Sequence, residues 1–349
     1  MRRTKFTFST LARFAGFFGS TIRSCGFILG DMRSQTFRVF GAFIAFFASF
    51  LLAARLSGAP LDRFTDFVAF DPPYTEAHGG IRVTYLGTNG YQFELGSHVL
   101  LVDPYFSRVG LCEVAFNQHI ESDERRVDAA LAQLRPRADA ILVTHAHFDH
   151  LLDAPRVMQR TRARLFAGPS AVNLMRSFHI PASRCQPVEP GDVRRIGPWT
   201  VRVLSAAHDR VIGTAPPFPG ERTSPGTPPV KPSDWVLGEP LAFVIDAGGK
   251  RIYVDSGGLP GEVLPESKVD LAILGVALPD SRRRFAYAVR QLHPRYVLPS
   301  HQDDFFQPLD RGFQFGKLSD FPEVCRIFEN EHLSGSLILL DYFRPWTLR

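Results

Sequence analysis

Residues 144–150 read Thr-His-Ala-His-Phe-Asp-His, and His145, His147, Asp149 and His150 all carry groups that can bind a metal ion. Imidazole and carboxylate together suit zinc, iron or manganese. The apolar run at residues 140–144, Ala-Ile-Leu-Val-Thr, predicts a buried strand directly before the motif. The side chains would then leave the carboxyl end of a strand, where open α/β sheets place their ligands. Three imidazoles and an acid packed there would lack partners unless a cation gathered them. Thiolates play no part: Cys25, Cys112, Cys185 and Cys325 contain no CxxC pair, which excludes a cysteine-built zinc site. A chain of 349 residues also buries enough core to need no disulfide framework.

The elements that must position this motif are short and alternate in type. Residues 81–86, 91–95 and 98–102 read as strands separated by glycine-containing turns at 87–90 and 96–97. Residues 123–134 place apolar side chains at helical spacing behind acidic residues. Further strands are expected at 200–204, 241–246, 251–255, 271–274, 296–299 and 336–341. Helices are expected at 151–160, 169–178 and 281–292. Runs of strands with helices between them predict an α/β fold with helices on the outer faces of sheets. Residues 216–240 break the pattern with eight prolines. They read either as a disordered surface insertion or as a lid or wall beside the site.

The first 59 residues differ in composition from the rest. Residues 1–60 hold eight basic side chains and one acid, whereas the other 289 hold 32 basic and 34 acidic groups. The +5 net charge is therefore a property of the leader, and bulk charge gives no argument for a nucleic-acid surface. Residues 39–54 form an uncharged apolar stretch, short for a bilayer span and near the length of a signal-peptide core. Small residues follow at Ser57-Gly58-Ala59. Met32 offers an alternative start with a conventional charged region ahead of the apolar run. The expectation is a leader over 1–59, cleaved or retained as a membrane anchor, then a linker over 60–80 and a catalytic domain over 81–349. The protein would be exported to the periplasm or the extracellular space, or held at a membrane.

The HxHxDH motif resembles that of the metallo-β-lactamase superfamily, and the resemblance extends over roughly residues 81–345. It implies a four-layer αβ/βα sandwich. It also implies three more ligands, each just after a predicted strand: His208 in Ser-Ala-Ala-His, Asp255 in Tyr-Val-Asp, and His301 in Leu-Pro-Ser-His. Carried over by position, His145, His147 and His208 form a first metal site. Asp149, His150 and His301 form a second, with Asp255 bridging both. The implied cofactors are two divalent ions, zinc foremost, with manganese or iron as alternatives. A hydroxide bridging the ions would attack the substrate, and Asp149 would orient it as the catalytic acid–base group. The absence of a G-x-S-x-G elbow agrees with a metal-activated water.

Tyr85-Leu-Gly-Thr-Asn, Leu100-Leu-Val-Asp-Pro-Tyr-Phe-Ser and the run from His208 through Trp235 narrow the resemblance. They look like the branch of ascorbate-6-phosphate lactonase and N-acylphosphatidylethanolamine-hydrolysing phospholipase D. A small ester, lactone or phosphodiester is the implied substrate, with a membrane-associated phospholipase D-like phosphodiesterase as the alternative. A di-iron oxidoreductase would need a flavin partner domain, and no flavodoxin-like segment is seen. A non-catalytic binding protein fits poorly with an intact ligand set. No nucleic-acid partner is expected. The Pro-rich stretch begins eight residues after His208, which is what motivates the wall reading. Asp103 reads as a structural strand end, and Arg282-Arg-Arg284 as solvated charge. His119 and Arg210 are the remaining candidates for a pocket lining.

Overall fold

The computed structural model describes residues 60–72, 79–211, 215–258, 268–316 and 319–349. The leader of residues 1–59 and part of the expected linker, 73–78, lie outside them.

Two seven-stranded sheets face one another. In the first, β1 (Ile81–Gly87), β2 (Gly90–Leu95) and β3 (His98–Val102) form an antiparallel meander. Beyond it, β4 (Ala140–Leu142), β5 (Arg164–Ala167) and β6 (Cys185–Pro187) continue in parallel. The second sheet begins with β7 (Val193–Ile196), β8 (Trp199–Ser205), β9 (Leu241–Ala247) and β10 (Lys250–Val254), paired antiparallel. It goes on in parallel through β11 (Leu271–Gly275), β12 (Tyr296–Ser300) and β13 (Ser336–Leu337). The last strand, β14 (Pro345–Leu348), returns to the first sheet beside β1.

Side chains alternate across each strand, so one strand serves two cores. Val83, Tyr91, Phe93, Leu100 and Leu142 face the second sheet and meet Val203, Phe243, Ile252 and Ile273 there. Val99, Leu101, Ile141, Val143 and Leu165 point the other way into a second cluster. Three helices close that cluster: α1 (Glu124–Leu131), α2 (Ala154–Thr161) and α3 (Pro169–Ser177). Two more, α4 (Pro279–Leu292) and α5 (Phe321–Asn330), contribute Phe285, Val289, Phe321 and Val324 on the side of the second sheet. Each large apolar side chain removed from water here stabilises the fold by roughly 1.5–3 kcal/mol. Two sheets with flanking helices are consistent with the sandwich that the motif implies.

Several boundaries differ from expectation. The helix expected at 151–160 begins only at Ala154, because Pro155 has no N–H to donate to the Leu151 carbonyl; Asp153, just before it, turns its carboxylate to the Phe106 and Ser107 amides at 2.6 and 2.8 Å. The strand expected at 336–341 stops at Leu337. Beyond it Leu339 exchanges backbone hydrogen bonds with Phe67 and Ala69 instead. That exchange ties residues 60–72, the described start of the expected 60–80 linker, to the domain. Leu61, Phe64 and Phe67 pack on the inter-sheet core, with Phe64 edge-on to Phe315 and Phe321.

Candidate metal centre

Four chain segments, one from the first sheet and three from the second, converge as they leave their strands. The motif follows β4, His208 follows β8, Asp255 follows β10, and His301 follows β12. Backbone hydrogen bonds lock these loops together: Leu241 N donates to Thr144 O at 2.7 Å, and Ala207 N to Gly258 O at 3.0 Å. His301 N donates to Thr88 O at 2.8 Å, tying its loop to the turn between β1 and β2. His301 holds a left-handed backbone, φ 55°, which a residue with a Cβ adopts only where its surroundings compel it. A single helical turn, Phe148–Leu151, follows His147 and carries Asp149 and His150.

Six of the seven expected ligands gather into two trios. The ligating atoms of His145, His147 and His208 lie within 4.8 Å of one another, and so do those of Asp149, His150 and His301. The trios touch through His145 and His150, whose ring centroids are 3.9 Å apart. Asp255 belongs to neither trio. It is fully buried, and its Oδ1 accepts the Gly258 and Gly275 amides at 3.0 Å. The next residue, Ser256, places its Oγ 3.3 Å from His145 Nδ1, which sets the Asp255 loop beside the first trio.

Hydrogen-bond chemistry tests whether the donors suit a cation. Asp103 Oδ2 faces His150 Nδ1 at 2.8 Å, and a carboxylate only accepts, so Nδ1 carries the proton. In the neutral ring His150 Nε2 is then a buried lone pair in no hydrogen bond, with the Asp149 carboxylate 3.5 Å away. In the first trio His147 Nε2 faces the Pro217 carbonyl at 3.0 Å, which likewise places the proton on Nε2. The Nδ1 lone pair of His147 is left facing His145 Nε2 at 3.0 Å. Asp255 Oδ2 and His301 Nδ1 are also buried without a partner in hydrogen-bonding geometry. His150 and His147, each with its other ring nitrogen held by an acceptor outside the trios, fit a positive ion.

The electrostatics point the same way. Burial, and then the neighbouring imidazoles His150, His147 and His208, hold His145 well below the ordinary histidine range. Burial and His208 do the same to His147, and burial pushes His208 down to about 4. These three rings are neutral at pH 7, the state a metal needs. Burial also opposes charge on His150, but Asp149 and Asp103 outweigh it and raise that ring. Asp149 is driven below the usual carboxylate range: burial acts against it, and His150 and His301 prevail. Burial pushes Asp255 up to about 6, against the two glycine amides and the nearby Tyr253 hydroxyl.

The structure corrects two readings around this centre and decides between the alternatives of a third. Asp103 is no mere strand end: besides His150 it accepts Asn89 Nδ2 at 2.9 Å, Thr144 N at 2.8 Å and Thr144 Oγ1 at 2.5 Å. The signal lay in register, because β3 runs parallel to β4 with Val102 opposite Leu142, so Asp103 leaves the sheet beside the motif. Arg282 is buried and paired with Glu323 at 2.7 Å, and Arg284 holds Asp209 at 2.8 Å beside His208. Finally, residues 216–240, read as either an insertion or a wall, pack as a wall in which Trp235 is fully buried against Phe178. Of the two leftover candidates, Arg210 is bound to Asp280 at 2.8 Å, and His119 lines surface pockets with Ile120 and Glu121 that contain none of the expected ligands.

Comparison with known proteins agrees with this geometry. Residues 98–301 match the family described as the Beta-lactamase superfamily domain. A metal-dependent hydrolase of Rubrobacter xylanophilus is 29% identical over 238 residues, covering 66% of this chain and 85% of its own. One from Heliobacterium modesticaldum is 26% identical over 245 residues, covering 64% and 84%. Among solved structures, a metallo hydrolase from the archaeon Ignicoccus hospitalis superposes with TM-score 0.52 and 18% identity, over 77% of this chain and 98% of that one. That likeness is one of fold.

Proposed function

The chain belongs to the beta-lactamase superfamily and is a metal-dependent hydrolase, and from that premise we propose that it cleaves a small ester, lactone or phosphodiester with two divalent cations. His145, His147 and His208 would hold the first ion. Asp149, His150 and His301 would hold the second, with Asp255 between them. The observation that carries this reading is the pair of trios joined by the contact of His145 with His150. Bound zinc, or manganese or iron in its place, would lower the pKa of a water to near neutrality and polarise the substrate oxygen.

The chain's own residues would supply the rest. Asp149 accepts from His301 Nε2 at 3.1 Å and stays ionised, which suits a group that orients a nucleophilic water and takes its proton. Asp103 and Pro217 fix the rings of His150 and His147 from behind. Phe218 lies 6.2 Å from His147 and Phe305 5.1 Å from His301, centroid to centroid, so each trio has an apolar ring beside it. Those rings favour a second reading, a lipid phosphodiester cleaved as by a phospholipase D.

We read the layers as the four-layer αβ/βα sandwich. We read residues 1–59 as the leader that exports the domain or holds it at a membrane, although no helix among the described residues is long and apolar enough to cross one. The partner would be a small molecule or a lipid and not a nucleic acid, in keeping with the near-neutral body. The test is a panel of lactones, carboxylic esters and phosphodiesters, assayed before and after chelation. Turnover should vanish with the metal, return with zinc, and be absent in Asp149→Ala and His147→Ala. Turnover that survives chelation or either substitution would refute the proposal.

A further inference from the structure

The Pro-rich wall touches the first trio at two places that are far apart in sequence. On its outgoing arm, Pro217 O meets His147 Nε2 at 3.0 Å and the Phe218 ring stands edge-on to the same imidazole. On its return arm, Leu237 O accepts the amide of Ala146 at 3.0 Å, the residue between His145 and His147. The two arms are bonded to each other. Leu237 N donates to Phe218 O, and Gly238 N to Gly220 O, both at 2.9 Å.

The far side of the wall is anchored in the body. Arg222 N donates to Ser170 Oγ at 3.0 Å on α3, and Ser170 Oγ donates in turn to Glu239 at 3.1 Å. Trp235 fills the helical cluster behind it. Phe218 itself has φ 41°, a left-handed conformation that a residue with a side chain keeps only when its surroundings hold it. A surface insertion would need none of these contacts.

We propose that residues 215–240 are a positioning element of the first metal site, in which the Pro217 carbonyl fixes the proton of His147 on Nε2 and so keeps Nδ1 free for the ion. The inference rests on the reading of His145, His147 and His208 as a metal site. It adds that this site is completed from outside the strand-end loops, by the segment that packs on His147 and Ala146. An acceptor placed behind a ligating imidazole orients the ring and raises its basicity, and losing one typically costs about 10–100-fold in metal affinity.

Two measurements on the full chain test it. The first is ¹⁵N NMR of the imidazoles in metal-free protein, with His147 assigned by its loss in His147→Asn. A single Nε2–H tautomer is expected for His147, and an Nδ1–H tautomer or a mixture would overturn the proposal whether or not any metal binds. The second is zinc titration against a competing chelator in a His301→Ala background that keeps only the first trio. Phe218→Gly should weaken binding there about 10-fold or more. In a His208→Ala background that keeps the second trio, the same change should leave binding as it was. Equal loss at both trios, or no loss at the first, would overturn the wall's role. Absence of zinc binding in either background would instead refute the metal reading.

Discussion

One carboxylate, Asp103, gathers the start of the motif and one of its imidazoles, and its neighbourhood shows how much a buried polar group can specify. Its side chain is wholly buried with that of His150, so its charge is unscreened by water. Asp103→Asn keeps the shape and removes the charge behind the ring. The expected result is a loss of about 10–100-fold in metal affinity at the second trio, read by competitive titration, with the first trio much less affected. A second buried pair, Arg108 with Asp303 at 2.8 Å, lies under the turn that receives His301. Asp303 also accepts the Thr88 amide at 2.8 Å and the Tyr342 hydroxyl at 2.5 Å. Arg108→Met would leave Asp303 as an uncompensated buried charge, at a cost of about 3–5 kcal/mol in chemical denaturation. A cost below 1 kcal/mol would show that water reaches the pair.

At the scale of elements, the site depends on loops whose lengths and turns are fixed by a few close approaches. Gly238 has φ 65°, and a Cβ there would stand 2.6 Å from Ser170 Cβ. Gly238→Ala should therefore lower stability by about 1–3 kcal/mol and loosen the wall, seen as faster amide exchange at Ala146 and Leu237. Unchanged exchange would show that the wall tolerates the shift. The strands around the site were legible in the sequence because apolar alternation and the strand-then-ligand order recur in β4, β8, β10 and β12. Other elements were not. The short strands β5, β6 and β7 alternate weakly, and β14 pairs with β1 at a sequence distance no local pattern reveals. The helix α5 is not legible because its apolar face, Phe321 and Val324, follows a stretch without clear periodicity. The wall was ambiguous for a related reason: proline suppresses periodicity, and its order comes from contacts with α3 and with the motif rather than from its own pattern.

For the whole molecule, the cluster of neutral imidazoles makes stability depend on pH when no metal is bound. His145, His147 and His208 have folded pKa values below the ordinary value near 6.5, so acid protonates them first in the unfolded chain. Their contribution is present above about pH 6.5 and is lost as pH falls toward the depressed values, about 4 for His208. His150 and Asp255 are raised and act in the opposite sense, His150 losing its contribution as pH rises and Asp255 favouring the fold as pH falls through about 6. From the three depressed rings, the Tm of the metal-free protein should fall from pH 6.5 to pH 4, with the raised Asp153 and Asp209 carboxyls acting against the fall like Asp255. A flat profile over that window would mean that the imidazoles are solvated and the cluster is open. Saturating zinc should raise the Tm at pH 7, since a ligand bound only by the folded chain stabilises it.

The ligand set reads almost completely from sequence because strand ends fix where the groups stand. The supporting shell does not, because Asp103, Thr144 and Pro217 act through contacts across the fold. The most direct test of convergence is metal stoichiometry by elemental analysis of the protein loaded with zinc and freed of excess. Two ions per chain are predicted, falling to one in His208→Ala and to one in His301→Ala. A single ion in the native chain that survives both substitutions would contradict the two-trio centre.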